Sequence, residues 1–92
     1  MYYHHLCNSN FIPKITTISK AGRGYRATVV NEKTNFNKSF TFSELTVLLG
    51  SLKYGYRVSK EVFDYVNTNA VYGNIVLCKI KVDIDRGYCK VE

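Results

Sequence analysis

The sequence predicts an α+β domain in which an antiparallel sheet of about five strands carries two adjacent helices on one face, in the order βββααββ. Three observations support this prediction. Residues 40–55 have the capping signals and apolar spacing of a helix, β-branched residues cluster before this segment and after it, and turn residues separate the clusters. Strands joined by hairpins, with the helices grouped together, are typical of the α+β class.

Length and composition favour one globular domain over residues 1–92, with residues 1–10 irregular. A chain of 92 residues that is 46% hydrophobic can bury a small core. Its three cysteines have no framework spacing, which indicates free thiols in a reducing compartment. No apolar run approaches the roughly 20 residues of a membrane span, and the N-terminus lacks the pattern of a secretory signal. These features predict a cytoplasmic protein without membrane association.

Three strands are predicted ahead of the helix. The first covers residues 11–19, and Pro13 places it at a sheet edge or marks its start, because proline cannot donate to a ladder. A basic glycine turn at 20–24 leads to a second strand over 25–31, and a polar loop leads to a third over 36–40. Strands joined by such short turns are expected to pair antiparallel.

The helix that follows is the best specified element of the sequence. Thr41 can cap its first turn, and Glu44 stands three residues later, which completes a capping box. Four leucines then share the spacing of one helix face: Leu45, Leu48, Leu49 and Leu52. Gly55 is expected to stop the helix, since glycine adopts the left-handed conformation without a steric penalty.

A second helix is predicted from Ser59, its N-cap, to about Asn67. Val62, Phe63 and Val66 are spaced to form its apolar face. The two helices follow each other along the chain, so we expect both of them to cover the same face of the sheet.

Residues 74–85 alternate between apolar and mostly polar positions, which predicts a fourth strand. Residues 86–87 are expected to form a two-residue hairpin turn into a fifth strand. In that register Lys90 lies opposite Asp83, where the two side chains would make a favourable cross-strand charge pair.

The residues with reactive side chains do not form a catalytic or metal-binding set. His4 and His5 lie beside Cys7 near the N-terminus, and three neighbouring groups lack the paired spacing of a zinc site. The carboxylates have structural explanations, such as the capping role of Glu44 and the helix N-terminus for Glu61. The sequence therefore predicts a protein that is not an enzyme and that holds no metal or cofactor.

Charge points instead to a negatively charged partner. Thirteen basic and seven acidic residues give a net charge of +6, and residues 1–31 carry four basic residues and no acidic one. Three turns combine glycine, tyrosine and a base, at residues 23–26, 54–57 and 86–88. Basic groups can follow a phosphate backbone while tyrosine rings stack on unpaired bases. The predicted contact residues are Lys20, Arg23, Tyr25, Arg26, Tyr56 and Arg57. The alternative is that these are ordinary turn-to-strand junctions with no binding role.

Two functions fit these observations. The first is a small non-enzymatic nucleic-acid-binding protein, with RNA or single strands favoured, because no predicted helix has a basic face for a DNA major groove. The alternative is an inhibitor or adaptor that binds an acidic or nucleic-acid-handling host protein, such as a CRISPR-type defence protein, by direct contact.

Residue usage adds an expectation about origin. Asn, Lys, Tyr, Ile and Phe, which have AT-rich codons, far outnumber Gly, Ala, Arg and Pro. In size and in this usage the chain resembles the small accessory proteins of AT-rich phages, which implies the cytoplasm of a host cell. An open edge at the first or the last strand would allow a homodimer.

Overall fold

The computed structural model describes residues 13–51, 55–69 and 75–92. Within these residues the chain forms five strands and three helices. In chain order they are β1 (Lys14–Ala21), β2 (Gly24–Asn31), β3 (Phe36–Thr41), α1 (Phe42–Ser51), β4 (Tyr56–Val58), α2 (Lys60–Asn69), α3 (Ile75–Asp85) and β5 (Cys89–Val91). The predicted α+β class and the five-stranded sheet are confirmed. The predicted order βββααββ is wrong, because the described elements follow as βββαβααβ.

The sheet is mixed, so the prediction of an antiparallel sheet is also wrong. Its strand order is β3-β2-β1-β4-β5. The first three strands pair antiparallel, whereas β4 runs parallel to β1 and β5 runs parallel to β4. This order places β1 at the centre of the sheet. Pro13 lies just before β1, where its carbonyl oxygen accepts a hydrogen bond from the Arg57 backbone N–H at 2.8 Å.

The turn between β1 and β2 has the signature of a type II′ hairpin. Ala21 pairs with Gly24, which leaves Gly22 and Arg23 as the two central residues. Gly22 has a φ of +59°, the left-handed value that a type II′ turn requires at its first central position. The turn therefore projects Arg23 from the end of the sheet.

Local signals mark the starts of α1 and α2 as predicted. The Thr41 backbone N–H donates to Glu44 Oε2 at 3.0 Å, and this hydrogen bond is the main reason that the pKa of the Glu44 carboxyl is lowered. Ser59 Oγ accepts a hydrogen bond from the Val62 N–H at 3.2 Å, as an N-cap does. The same hydroxyl donates to the Thr16 carbonyl at 2.9 Å, which ties the start of α2 to β1. The Ser59 N-cap is confirmed, and of the predicted capping box the structure shows the hydrogen bond from the Thr41 N–H to Glu44.

The first helix is described as far as Ser51, and the predicted stripe residue Leu52 lies outside the described residues. Gly55 has a φ of +64°, which is the left-handed conformation expected of a glycine that ends a helix. Gly55 leads directly into β4, a strand of three residues that the sequence pattern did not predict.

The segment predicted as the fourth strand is helix α3. Its buried residues lie at i, i+1, i+4 and i+7, which is one face of a helix: Val76, Leu77, Ile80 and Asp83. Val82 alternates in step with Val76 and Ile80, as an inward strand residue would, but it is 43% exposed. The predicted cross-strand pair between Lys90 and Asp83 is therefore wrong, because Asp83 is a buried helical residue.

The predicted hairpin turn at Arg86 and Gly87 is instead the C-terminus of α3. The Tyr88 N–H donates to the Asp83 carbonyl at 2.8 Å, and the Gly87 N–H donates to the Ile84 carbonyl at 3.1 Å. Gly87 has a φ of +80°. These two hydrogen bonds and the left-handed glycine form a Schellman motif, which ends the helix and directs the chain into β5.

The core lies between one face of the sheet and the helices. Ile15, Val29 and Val58 share a row across β1, β2 and β4 and are at most 1% exposed. Buried residues from α1, α2 and α3, such as Leu48, Val66 and Ile80, complete the same cluster. Among the described residues, no helix is both long enough and apolar enough to cross a membrane.

Candidate nucleic-acid interface

The charges of the described elements are separated between the sheet and the helices. The five strands contain six basic residues and no acidic one. The three helices contain three basic and five acidic residues. A polyanion approaching this part of the chain is therefore attracted to the sheet and not to the helix layer.

Three of these basic residues lie side by side on the sheet face that points away from the core. Register pairs Lys14 with Arg57 and Arg57 with Lys90, so the three Cα atoms form one row across β1, β4 and β5. Their neighbours along the strands, Ile15 and Val58, point into the core, and alternation therefore directs this row outward. Adjacent strands are about 4.8 Å apart, so the row spans roughly 10 Å.

We call this outward surface the open face. Its residues are half-buried or exposed. Besides the basic row, alternation and register place the following residues on it: Thr17, Ser19, Arg26, Thr28, Val30, Asn37, Ser39 and Thr41. Most of these carry hydroxyl or amide groups, which can hydrogen-bond to sugars, bases or phosphates.

A single carboxylate bridges the basic row. Glu92 Oε2 lies 3.2 Å from Lys14 Nζ, and Glu92 Oε1 lies 3.2 Å from Arg57 Nη1. The pKa of the Glu92 carboxyl is lowered, chiefly by its hydrogen bond with Lys14. Like charges that face each other on neighbouring strands are destabilising, and one exposed carboxylate relieves this repulsion only in part. A bound polyanion would relieve the rest.

An exposed aromatic ring stands next to this row. Tyr88 immediately precedes β5 and is 47% exposed, whereas the following residue, Cys89, is 4% exposed. Lys90 is exposed again, so Tyr88 and Lys90 are two exposed residues on either side of buried Cys89 at the β5 edge. An exposed tyrosine beside lysine and arginine is the combination that single-stranded nucleic-acid sites use for stacking and phosphate contact.

Two of the predicted contact residues lie on the open face. Arg57 occupies the middle of the basic row, and Arg26 lies on β2, four residues from Val30, which pairs with Lys14. Four residues of strand correspond to about 13 Å. Arg23 lies exposed in the hairpin turn, at the Arg26 end of the sheet. The three arginines are therefore spread along the open face, from Arg57 through Arg26 to Arg23 in the hairpin turn.

The structure separates the other three predicted residues from that surface. Lys20 pairs with Tyr25 on the opposite side of the hairpin from Arg26. The Tyr25 ring packs edge-on against Tyr65 of α2, with the ring centroids 6.4 Å apart. Tyr56 is 2% exposed and belongs to the core, so its ring has no surface on which a base could stack.

Tyr56 has a structural partner in α3. Its hydroxyl donates to Asp83 Oδ2 at 2.9 Å, and Lys79 Nζ lies 3.0 Å from Asp83 Oδ1. Asp83 is 3% exposed, and a buried carboxylate is tolerated when such partners satisfy it. Burial raises the pKa of Tyr56, and burial together with the charge of Asp83 raises the pKa of the Cys89 thiol to about 12. This buried cluster ties β4 to α3.

A cleft opens at the end of the sheet where β1 begins and β2 ends. It has a volume of about 250 Å³, and its described lining residues are Asn31, Glu32, Lys33 and Arg57. Asn31 Oδ1 accepts the Lys33 backbone N–H at 3.0 Å, which orders the start of the loop after β2. The cleft adjoins the open face, since Arg57 contributes to both.

Sequence reasoning did not single out Lys14, Lys90 and Tyr88, which the structure places on or beside the open face. Tyr88 and Lys90 belong to the third glycine-tyrosine-base turn, so the local signal was present in the sequence. Lys14 carries no such signal, because it joins the row only through the parallel pairing of β1 with β4, in which its partner Arg57 lies 43 positions further along the chain.

Within the described ranges, no group of three or more His, Cys, Asp or Glu side chains is arranged to hold a metal ion. His4, His5 and Cys7 lie outside those ranges. Comparison with known proteins gives no match of any kind: no family model, no curated protein and no solved structure matches the chain.

Proposed function

We propose that this protein binds nucleic acid, with RNA or single strands as its targets, through the open face of its sheet. The observation that carries the proposal is the row formed by Lys14, Arg57 and Lys90. Three basic residues on adjacent strands match the need to neutralise successive phosphates. Placing like charges side by side lowers the stability of the fold, and a polyanion bound to the surface would offset this repulsion.

Single strands fit this surface better than duplex DNA. Duplex recognition commonly places a helix with basic residues in the major groove. Here α2 has one basic and two acidic residues, and α3 has two of each. An open sheet face with hydroxyl groups and one exposed ring, that of Tyr88, instead resembles the stacking surfaces on which unpaired bases lie.

The test compares two pairs of lysine substitutions by fluorescence anisotropy with a labelled mixed-sequence RNA. K14Q/K90Q removes two charges from the open face, and K60Q/K81Q removes two exposed charges from the helix layer. Each phosphate contact contributes about −0.7 to the slope of log K against log salt on a single strand. We expect K14Q/K90Q to reduce the magnitude of the slope by about 1.4 and K60Q/K81Q to leave it unchanged.

Equal slopes for the two double variants would show that overall charge, and not the open face, drives association. An absence of RNA binding by the wild-type protein at low salt would reject the function altogether. Circular dichroism of each variant confirms that the fold is retained before affinities are compared.

A second candidate function is an inhibitor or adaptor that acts by protein contact. The observation in its favour is that the helix layer exposes the large apolar residues Val47, Ile75 and Val82, which are 43% exposed or more. Apolar residues of this kind contribute to protein interfaces when they form a patch. A pull-down from nuclease-treated host lysate distinguishes the two functions, because a partner that survives nuclease treatment favours the adaptor.

A further inference from the structure

The cleft at the end of the sheet contains two buried hydrogen-bond donors without acceptors. Asn31 is 2% exposed, and its Nδ2 is buried with no hydrogen-bond partner. The Nε of Arg57 is also buried and unpartnered. Both residues line the cleft. Buried polar groups in native proteins are nearly always satisfied, so two orphan donors on residues that line one cleft indicate that an acceptor binds there.

Each side chain also has a polar atom that is already bonded. Asn31 Oδ1 accepts the Lys33 N–H, and Arg57 Nη1 contacts both carboxylate oxygens of Glu92, at 3.2 and 3.4 Å. These contacts hold the two side chains in place, while Asn31 Nδ2 and Arg57 Nε remain without a partner. Both atoms are buried, so a ligand in the cleft reaches them once these side chains shift.

The charges around the cleft favour an anion. Lys33 and Arg57 line it together with Glu32, and Lys14 and Glu92 lie on the adjoining open face. These five residues carry three positive and two negative charges. An oxyanion presents several acceptor oxygens to converging N–H groups, and arginine is well suited to bind phosphate.

We propose that this cleft binds a phosphate group, and that in the complex with nucleic acid it receives the terminal phosphate of a strand lying on the open face. The second part rests on the function proposed above. The geometry supports it, because Arg57 stands in the basic row and also lines the cleft. The volume of about 250 Å³ lies just below the usual range for small-molecule pockets, which suits one phosphate and its attached sugar better than a longer segment.

The first experiment is a titration of the full chain with inorganic phosphate at constant ionic strength, followed by the NMR signals of the Asn31 side-chain amide and the Arg57 Nε–H. Phosphate should shift both signals, and chloride should shift neither. The absence of a phosphate-specific shift at both groups would overturn the proposal. This result is independent of whether the protein binds nucleic acid.

The second experiment compares short single-stranded RNAs that carry a phosphate at the 5′ end, at the 3′ end, or at neither end. We expect one of the phosphorylated strands to bind about tenfold more tightly than the unphosphorylated strand, the effect of one charge-assisted hydrogen bond. In N31D a carboxylate oxygen replaces the Nδ2 donor while the other oxygen still accepts the Lys33 N–H. This variant should lose the preference.

R57K provides a second variant that does not depend on the folding of N31D. Lysine retains the positive charge that faces Glu92 but has no Nε–H, so R57K should lose the preference for a terminal phosphate as well. Equal binding of all three strands, together with a normal salt dependence, would overturn the cleft assignment and leave the open-face function intact. If no strand binds, the open-face function fails, and a phosphate shift at Asn31 and Arg57 would still support the phosphate site.

Discussion

Removing one hydroxyl group, in Y56F, tests whether the buried contact between β4 and α3 stabilises the fold. The Tyr56 hydroxyl donates to Asp83 Oδ2 at 2.9 Å, and both residues are at most 3% exposed. A hydrogen bond to a charged group contributes about 1.5–3 kcal/mol. Lys79 remains beside the other carboxylate oxygen, so Asp83 keeps one partner and we expect a loss of about 2 kcal/mol.

The assay is reversible urea and thermal unfolding of wild-type protein and variant. For a domain of this size a loss of about 2 kcal/mol corresponds to a decrease in Tm of roughly 10 °C. The urea m-value should not change, because the variant exposes the same surface on unfolding. Y88F is the matched control, since Tyr88 is 47% exposed and its substitution should change stability by less than about 0.5 kcal/mol.

A double-mutant cycle with D83A, which removes the acceptor, assigns the effect to the pair. Residues in direct contact show coupling energies of about 0.5–3 kcal/mol. If Y56F were as stable as Y88F, or if the two substitutions were additive, the hydrogen bond between Tyr56 and Asp83 would not stabilise the contact between β4 and α3.

Three further predictions concern pH and surface charge. The pKa of the Cys89 thiol is raised to about 12 from an ordinary value of 9.0, so the unfolded chain ionises first and stability falls as pH rises from 9.0 towards 12. C89A should reduce this decline in the free energy of unfolding by up to about 2 kcal/mol at pH ~10.5. Urea unfolding at neutral and alkaline pH measures it, and an unchanged decline in C89A would show that a group other than Cys89 causes it. E92Q should strengthen RNA binding about threefold, because it removes the carboxylate that competes for Lys14 and Arg57, and weaker binding in anisotropy would contradict this. R23A/R26A should weaken RNA binding while changing the free energy of unfolding by less than about 0.5 kcal/mol; unchanged affinity would restrict the interface to the basic row.

Features that depend on neighbours in the chain were predictable from the sequence. The bond from the Thr41 N–H to Glu44 and the N-cap at Ser59 each involve residues three positions apart, and the structure contains both bonds. The first two hairpins belong to the same class, because each joins strands that are adjacent in the chain.

The error at residues 74–85 has a physical cause. Val76 and Ile80 satisfy a period of two, but they also lie four apart on one helix face, with Leu77 beside them. The residue that would extend this helical stripe is Asp83, a charged residue that is ordinarily exposed. Its burial depends on Tyr56 and Lys79, and the contact with Tyr56 spans 27 residues of chain, which no local pattern reveals.

The candidate site was predictable only in part for the same reason. Arg26 and Arg57 were identified from their turns, but the row around Arg57 exists because three-residue β4 pairs with β1 and β5. A strand of three residues has too few positions to show a period. Tyr56, inferred from its turn to be a contact residue, is buried because it begins that strand on the core side.

The most direct test of the open-face function is an amide chemical-shift map of the protein during titration with a short single-stranded RNA. We expect the largest shifts at Lys14, Arg57, Tyr88 and Lys90, with little change along α2. Shifts concentrated on the helix layer, or none at any RNA concentration that the experiment reaches, would contradict the assignment of the sheet as the nucleic-acid-binding surface.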